Sequence, residues 1–235
     1  FDVAWNSELT KFGYDGGSAT TQQAGERYTA TRLHLAPTLT VPLVDAPGYY
    51  LTSQYKLMFT SYNQEVPKDL VSQDRSRFTD ADSKQLTLKD GTITRTLPSF
   101  RLKGGVNFDR PLDWYDGKGT QTLEPEFQYL YIPYKNQDEI GIYDSTTTRQ
   151  DYYSLFSDRR FAGLDRISDA NRITVGLTSR VYDNVGDERL RLAVAQAFEM
   201  TPPKVRLYPS DPESTNARSL LSFEGDARIT DEWFA

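Results

Sequence analysis

Between Leu33 and Leu43 every second residue is apolar: Leu33, Leu35, Pro37, Leu39, Val41 and Leu43, with His34, Ala36, Thr38, Thr40 and Pro42 between them. A repeat of two belongs to an extended strand with one apolar face, because successive side chains leave a strand on opposite sides. After Asp45-Ala46-Pro47-Gly48, a turn by its residues, the repeat resumes at Tyr49, Leu51, Ser53, Tyr55, Leu57 and Phe59. It returns at Phe100-Leu102-Gly104-Val106-Phe108, at Leu123-Pro125-Phe127-Tyr129-Tyr131 and at Ile173-Val175-Leu177-Ser179-Val181. Leu190-Leu192-Val194, Leu221-Phe223-Gly225-Ala227-Ile229 and the opening Phe1-Val3-Trp5 complete about eight predicted strands. No long helical period competes, although 155–167 has room for a short helix within a loop.

The connections carry as much information as the strands. In chain order they are long (14–27), short (44–48), long (64–91), short to medium (109–119), long (135–171), short (184–187), long (201–218) and short again after Ile229. A soluble sandwich has no reason to gather its long loops on one side. A membrane barrel does, with short periplasmic turns and long outer loops. Several strands reach about 12 residues, which at ~45° tilt spans roughly 28 Å, one hydrocarbon layer. Trp114-Tyr115 and Trp233-Phe234 fall at predicted short turns, where an aromatic girdle belongs. The fold expected is an all-β, antiparallel transmembrane barrel segment, part of one barrel domain over 1–235.

Composition agrees. The chain is 37% hydrophobic and 13% aromatic, with 15 Tyr against 3 Trp, which suits strands more than a large oily core. No apolar run approaches the ~18 residues of a membrane helix, so a membrane crossing requires strands closed into a barrel. The alternate positions hold His34, Arg101, Lys103, Glu124, Glu126 and Gln128, and further on Glu224, Asp226 and Arg228. These suit a wet lumen better than a dry core, because unpaired buried charge is costly. An eight-stranded barrel has little interior beyond side chains, so the strands read as an arc of a larger wall. Each proline within a strand (Pro37, Pro98, Pro125) removes a ladder donor and is expected to mark a bulge or a weak pairing.

The segments Gln121–Ile140, Ser154–Asn171 and Ile173–Asp183 resemble the LptD family of outer-membrane barrels. The run Gly163-Leu164-Asp165-Arg166-Ile167, followed by Ala170-Asn171 and Gly176-Leu177-Thr178-Ser179-Arg180, is the most specific part, and Arg32–Leu43 also fits. The likeness extends over almost the whole chain and is strongest between about 95 and 185. Nothing specific is recognised in 200–217 or 64–91. The resemblance implies transport of lipopolysaccharide to the outer leaflet of a Gram-negative outer membrane. It also implies a very large barrel plugged by the lipoprotein LptE, fed from a periplasmic LptA bridge, set among outer-membrane lipids and placed by the barrel-assembly machinery. By the same resemblance, the family's N-terminal periplasmic jellyroll and its first and last barrel strands are expected to lie outside this chain. The opening Phe1-Asp2-Val3-Ala4-Trp5 likewise reads as the interior of a longer sequence.

Two groups of residues follow from this reading. Tyr134 and Lys135 begin an outer loop expected to fold over or into the lumen, near the plug. Asp165, Arg166 and Asn171 at the foot of that loop are expected to pin it into the barrel mouth, with Phe156, Phe161, Leu164 and Ile167 burying alongside. Other chemistries are weaker. The single histidine, His34, is mid-strand and inward, away from the loops where a catalytic base usually sits. Glu124 and Glu126 share a face and could imitate a glycosidase pair, but lumen lining explains them as well. Asp80 and Asp82 lack the spacing of a calcium loop, and the absence of cysteine removes thiolate chemistry from this chain. No enzyme, cofactor or metal is expected. With a net charge of −6 and no basic stripe, nucleic acid is not an expected partner. A porin or receptor barrel would show the same strand logic and stays open as an alternative.

Overall fold

The computed structural model describes residues 1–13, 29–66, 88–114, 117–219 and 221–228. One antiparallel sheet dominates. Its strands are β1 (Asp2–Phe12), β2 (Thr29–Ala46), β3 (Tyr49–Glu65), β4 (Gly91–Val106), β5 (Phe108–Trp114), β6 (Gly117–Ile132), β9 (Ala170–Tyr182), β10 (Glu188–Glu199) and β11 (Ser222–Ala227). They pair in the order β1-β2-β3-β4-β6-β9-β10-β11, with β5 against the lower half of β6. Each strand on this path lies beside its predecessor, so successive connections fall at opposite ends and the long ones collect at one end. Between β6 and β9 a long connection carries a two-residue ribbon, β7 (Thr146–Thr147) with β8 (Phe161–Ala162), and a one-turn helix, α1 (Tyr152–Leu155). Among the described residues β1 and β11 each have a single neighbouring strand.

The period-two pattern becomes two chemically opposite faces. Val3, Trp5, Leu39, Leu57, Phe127, Val175, Leu192 and Phe223 stand exposed on one face. Soluble proteins seldom leave an apolar surface of that extent uncovered. The other face carries Arg32, His34, Thr60, Arg95, Gln128, Thr174 and Thr178, all buried, because the β6–β9 connection folds back across it. His34, Arg101, Lys103, Glu124, Glu126 and Gln128 all belong to this covered face, on β2, β4 and β6.

The prolines act where pairing lapses. On β6, Pro125 lies opposite Val106–Asn107, the break between β4 and β5: β4 pairs down to Gly105↔Glu126 and β5 resumes at Phe108↔Leu123 in the same register. On its other side the Asn107 N–H donates to the Gly48 carbonyl at 2.6 Å, one step beyond the Tyr49↔Val106 pair of the β3–β4 ladder. On β4, pairing with β6 begins at Phe100↔Tyr131, just past Pro98. The β2–β3 ladder skips Ala36 and Pro37, but its true register slip falls between Pro42 and Val44.

Two expectations need correction, and a third falls on residues that are not described. The helix does not lie over 155–167 but at Tyr152–Leu155, because Asp151 caps it by accepting from the Ser154 N–H while the Ser154 side chain reciprocates. The connection read as 109–119 is much tighter, since β5 and β6 run on as a hairpin to Trp114↔Gly117. The proposed aromatic turn partners Tyr115, Trp233 and Phe234, together with Asp80 and Asp82, lie outside the described residues.

Small residues give the connection its seat. Ala193, Ala195 and Ala197 of β10 are buried beneath Tyr152 and Leu155, with Phe156 packed against them. A Cβ built on Gly176, opposite Ala195, would stand 2.8 Å from the Phe156 ring and 2.9 Å from the Tyr152 hydroxyl. Gly176→Val is therefore expected to lift α1 from the sheet at a cost of about 1–3 kcal/mol, typical of overpacking. Faster proteolytic cleavage at 150–160, in a protein whose sheet signal by circular dichroism is unchanged, would be the readout.

Candidate functional site

The side chains of greatest chemical interest gather where the β6–β9 connection crosses the inward face near the long-loop end. Four wall residues reach into it: Arg32 of β2, Tyr62 and Gln64 of β3, and Arg95 of β4. Register places Arg32 beside Tyr62, and Thr60 beside Arg95. Arg32, Arg95, Tyr62 and Gln64 are each at most 1% exposed.

Asp165 lies at their centre, fully buried. Its Oδ2 accepts the backbone N–H groups of Tyr143, Asp144 and Ser145 at 2.7, 2.7 and 3.0 Å. Its Oδ1 accepts from Arg32 Nη1 at 3.0 Å and from the Tyr62 hydroxyl at 3.1 Å. One carboxylate thus ties the two arms of the connection together and ties both to the wall. Arg32 also donates to Asp144 Oδ1 at 2.9 Å and to Glu8 of β1 at 2.7 Å. Arg95 donates to the main-chain carbonyls of Leu164 (2.5 Å) and Asp165 (2.8 Å), to Gln137 Oε1 (2.6 Å) and to Thr60 (3.1 Å). Gln64 donates to the Glu139 carbonyl at 3.0 Å and accepts from the Gly141 N–H at 2.7 Å. Arg166 leaves the wall and donates to the carbonyls of Ile140 at 2.9 Å and Leu207 at 3.2 Å, linking this connection to the next one. Asp169 adds to that link by accepting the N–H groups of Lys204 and Val205, each at 2.9 Å.

A buried loop must satisfy its own peptide groups. Here charged side chains from the wall supply donors that a strand ladder would otherwise provide. Burial alone would raise the Asp144 carboxyl, but the Arg32 guanidinium and the Leu164 N–H outweigh it and hold the group down at about 2. Asp158, on the same connection, is likewise held below its usual range, against its partial burial, because Lys56 and Arg101 stand beside it.

Of the residues expected to pin the loop, Asp165 and Arg166 are in this network. Asn171 sits just outside it on β9, where its Oδ1 accepts from Tyr129 at 3.2 Å and its Nδ2 donates to Thr201 at 3.2 Å. Phe161, Leu164 and Ile167 are buried as expected, and Phe156 partly so. Tyr134 and Lys135 are not brought in: both are exposed, and the Tyr134 ring faces Lys204 Nζ at 5.7 Å. The inward residues of the lower wall form a second set. Lys103 pairs with Glu126 at 2.7 Å, Arg180 with Glu124 at 3.5 Å, and the Tyr152 hydroxyl donates to Glu126 at 2.6 Å. His34 is hydrogen-bonded through Nδ1 to Thr60 at 2.9 Å. Among the described residues no cluster of potential metal ligands occurs.

The alternation did not single out Arg32, Tyr62, Gln64, Arg95, Gln137 or Asp144. Arg32 and Arg95 were nonetheless within its reach, because they share inward parity with His34 and Arg101. Asp165→Ala would remove one of the three carboxylates around Arg32 and the acceptor of three main-chain N–H groups, and the expected loss is about 3–5 kcal/mol, as for a broken buried ion pair. The midpoint of guanidinium unfolding in detergent measures it. The Asp144 linkage has a definite sign. Because its folded value lies below the ordinary 3.8, its contribution is complete above about pH 4 and is lost as pH falls through about 2. Melting temperature is expected to hold from pH 7 to about 4 and then fall, with a smaller acid decline in Asp144→Asn.

A profile of the family described as LPS transport system D (LptD) matches residues 1–235. The LPS-assembly proteins LptD of Aeromonas salmonicida and Aeromonas hydrophila are 63% and 64% identical over 235 residues, and that of Shewanella sp. (strain MR-4) is 40% identical over 233. These alignments take in 100%, 100% and 99% of this chain but only 29%, 29% and 27% of the relatives, so the chain spans less than a third of their length. With a profile match along its whole length and an antiparallel sheet of two opposed faces, the chain belongs to the LptD family.

Proposed function

We propose that this chain forms an arc of the wall of an outer-membrane β-barrel that delivers lipopolysaccharide to the outer leaflet, and that its β6–β9 connection closes part of the lumen. The observation that carries the reading is the pairing of an exposed apolar face with a charged face covered from within. A wall of this kind meets lipid on one side and holds polar groups on the other. The membership of the family supplies the cargo. The rest of the barrel, the periplasmic jellyroll and the seam strands belong, on this reading, to other parts of the full-length protein.

The partners follow from the same reading. The plug lipoprotein LptE occupies the lumen and meets the exposed start of the connection at Tyr134 and Lys135, while the LptA bridge and the assembly machinery engage the whole protein. Asp165, Arg166 and Asn171 act as positioning residues for the connection, and His34, Arg101, Lys103, Glu124, Glu126 and Gln128 line the lumen. No catalytic step is assigned to any of them. A porin would use the same strands, but the buried network across the inward face favours a closed lumen over an open aqueous pore.

Depletion of the full-length protein in its host tests the cargo. Newly made lipopolysaccharide is expected to stop reaching the surface while other barrels still assemble. Unchanged delivery would return the family's wall to a porin or receptor role. A photo-crosslinker at position 134 or 135 is expected to capture the lipoprotein, and its failure at both positions would remove the assigned contact.

A further inference from the structure

Among the described residues β5 has a strand on one side only, although it stands inside the sheet rather than at its end. It pairs with β6, while β3, which flanks β4, begins at Tyr49 opposite Val106 and so has already turned away. β4 and β5 keep one register against β6, Gly105↔Glu126 and then Phe108↔Leu123, and run on as one strand. In such a strand the main-chain groups of successive residues face alternate edges. The Asn107 N–H reaches the Gly48 carbonyl, which assigns the odd-numbered residues to the β3 side. Leu112 fits the converse, since its carbonyl oxygen lies toward Gly119 of β6, 3.6 Å from where a Cβ there would stand. The edge left open below Gly48 therefore belongs to Asp109, Pro111 and Asp113.

Such an edge invites pairing. Phe108 and Leu112 give β5 apolar side chains, and Phe108 is exposed. A strand of this kind with free main-chain donors is a template for another chain. Here the donors are few. Pro111 has no N–H, and its nitrogen stands at the middle of the open edge. Pro98 on β4 obeys the same rule: even-numbered, it faces the β6 side, where pairing begins only at Phe100. Charge reinforces the gap, because Asp109 and Asp113 flank Pro111 and all three are exposed. A second copy laying its own β5 antiparallel along this edge, centred on Pro111, would bring Asp109 of each opposite Asp113 of the other. Like charges directly opposite are destabilising, and the two prolines would meet with no donor between them.

We propose that Pro111, with Asp109 and Asp113, closes the free edge of β5 against pairing with a second copy of the chain. Neither β1 nor β11 contains a proline. On the wall reading above, those two edges take up the adjoining strands, and the block at β5 leaves pairing to them. That last step rests on the wall reading; the closed edge rests on strand register alone.

The test uses the full-length protein in detergent. Light scattering behind size exclusion is expected to show self-association of Pro111→Val about tenfold tighter than that of the unaltered protein, as one or two restored hydrogen bonds allow. Adding Asp109→Asn and Asp113→Asn is expected to tighten it further. A photo-crosslinker at position 112 should join two copies in these variants and not in the unaltered protein. Arg110→Gln, where Arg110 donates to Gln121, changes no edge donor and should stay as the unaltered protein. Should Pro111→Val fail to assemble, Asp109→Asn/Asp113→Asn alters charge alone and is expected to raise association to a lesser degree. In the unaltered protein, amide exchange is expected to be fast at Asp109 and Asp113 and slow at Arg110 and Leu112, whose N–H groups face β6. Variants no more associated than the unaltered protein would overturn the block. Equal protection at all four amides would reveal an edge already covered and overturn it as well. Neither measurement depends on the cargo, which the depletion experiment reads separately.

Discussion

The carboxylate of Asp165 accepts five hydrogen bonds, three from main-chain N–H groups and one each from Arg32 and Tyr62. Arg32 and Tyr62 have further acceptors in Asp144 and the Leu164 carbonyl, so it is the main-chain N–H groups of the connection that depend on it most. A connection that leaves β6 and must return to β9 can cross a wall's inner face only if its peptide groups find partners there. Asp165 gathers the N–H groups of one arm, and Arg95 takes the carbonyls of the other. Such buried charge is not a simple gain in stability, because both partners lose their hydration. Its value is placement. A polar network is satisfied in few arrangements, whereas apolar packing tolerates many.

The same connection is held at its far end by shape rather than charge. Gly176, Ala193, Ala195 and Ala197 leave a shallow seat on β9 and β10, and Tyr152, Leu155 and Phe156 fill it. Between these two anchors Asp158 joins Lys56 and Arg101. Polar fixation near the long-loop end and apolar fixation across β9–β10 keep one segment against β2, β3, β4, β6, β9 and β10. The prolines contribute by subtraction. Opposite Pro125, β4 gives way to β5, and the Asn107 N–H carries the β3–β4 ladder on to the Gly48 carbonyl at the adjacent turn.

Much of the wall was legible in advance, for a physical reason. A strand repeat of two, with one face in an apolar medium, writes its orientation into every second residue, so the faces of β2, β3, β6 and β9 followed directly. The resemblance drew attention to Asp165 and Arg166. Helix α1 was misplaced because a single turn has too few residues for a periodic signal, and its start is fixed by the Asp151 cap. Arg32 and Arg95 were passed over although they stand at inward positions, since alternation reports a direction and not a partner. Arg32 and Asp165 are separated by 133 residues, and no local pattern links them.

By itself, then, the sequence determined the strands, their two faces, the alternation of long and short connections and the family, because each depends on neighbours in the chain or on motif identity. Only the tertiary structure decided that the long β6–β9 connection folds inward and that Asp165 is its keystone. Those outcomes depend on which charges meet across the wall. That is set by strand order and register over long separations, where the cost of leaving a buried donor unpaired selects one arrangement from many.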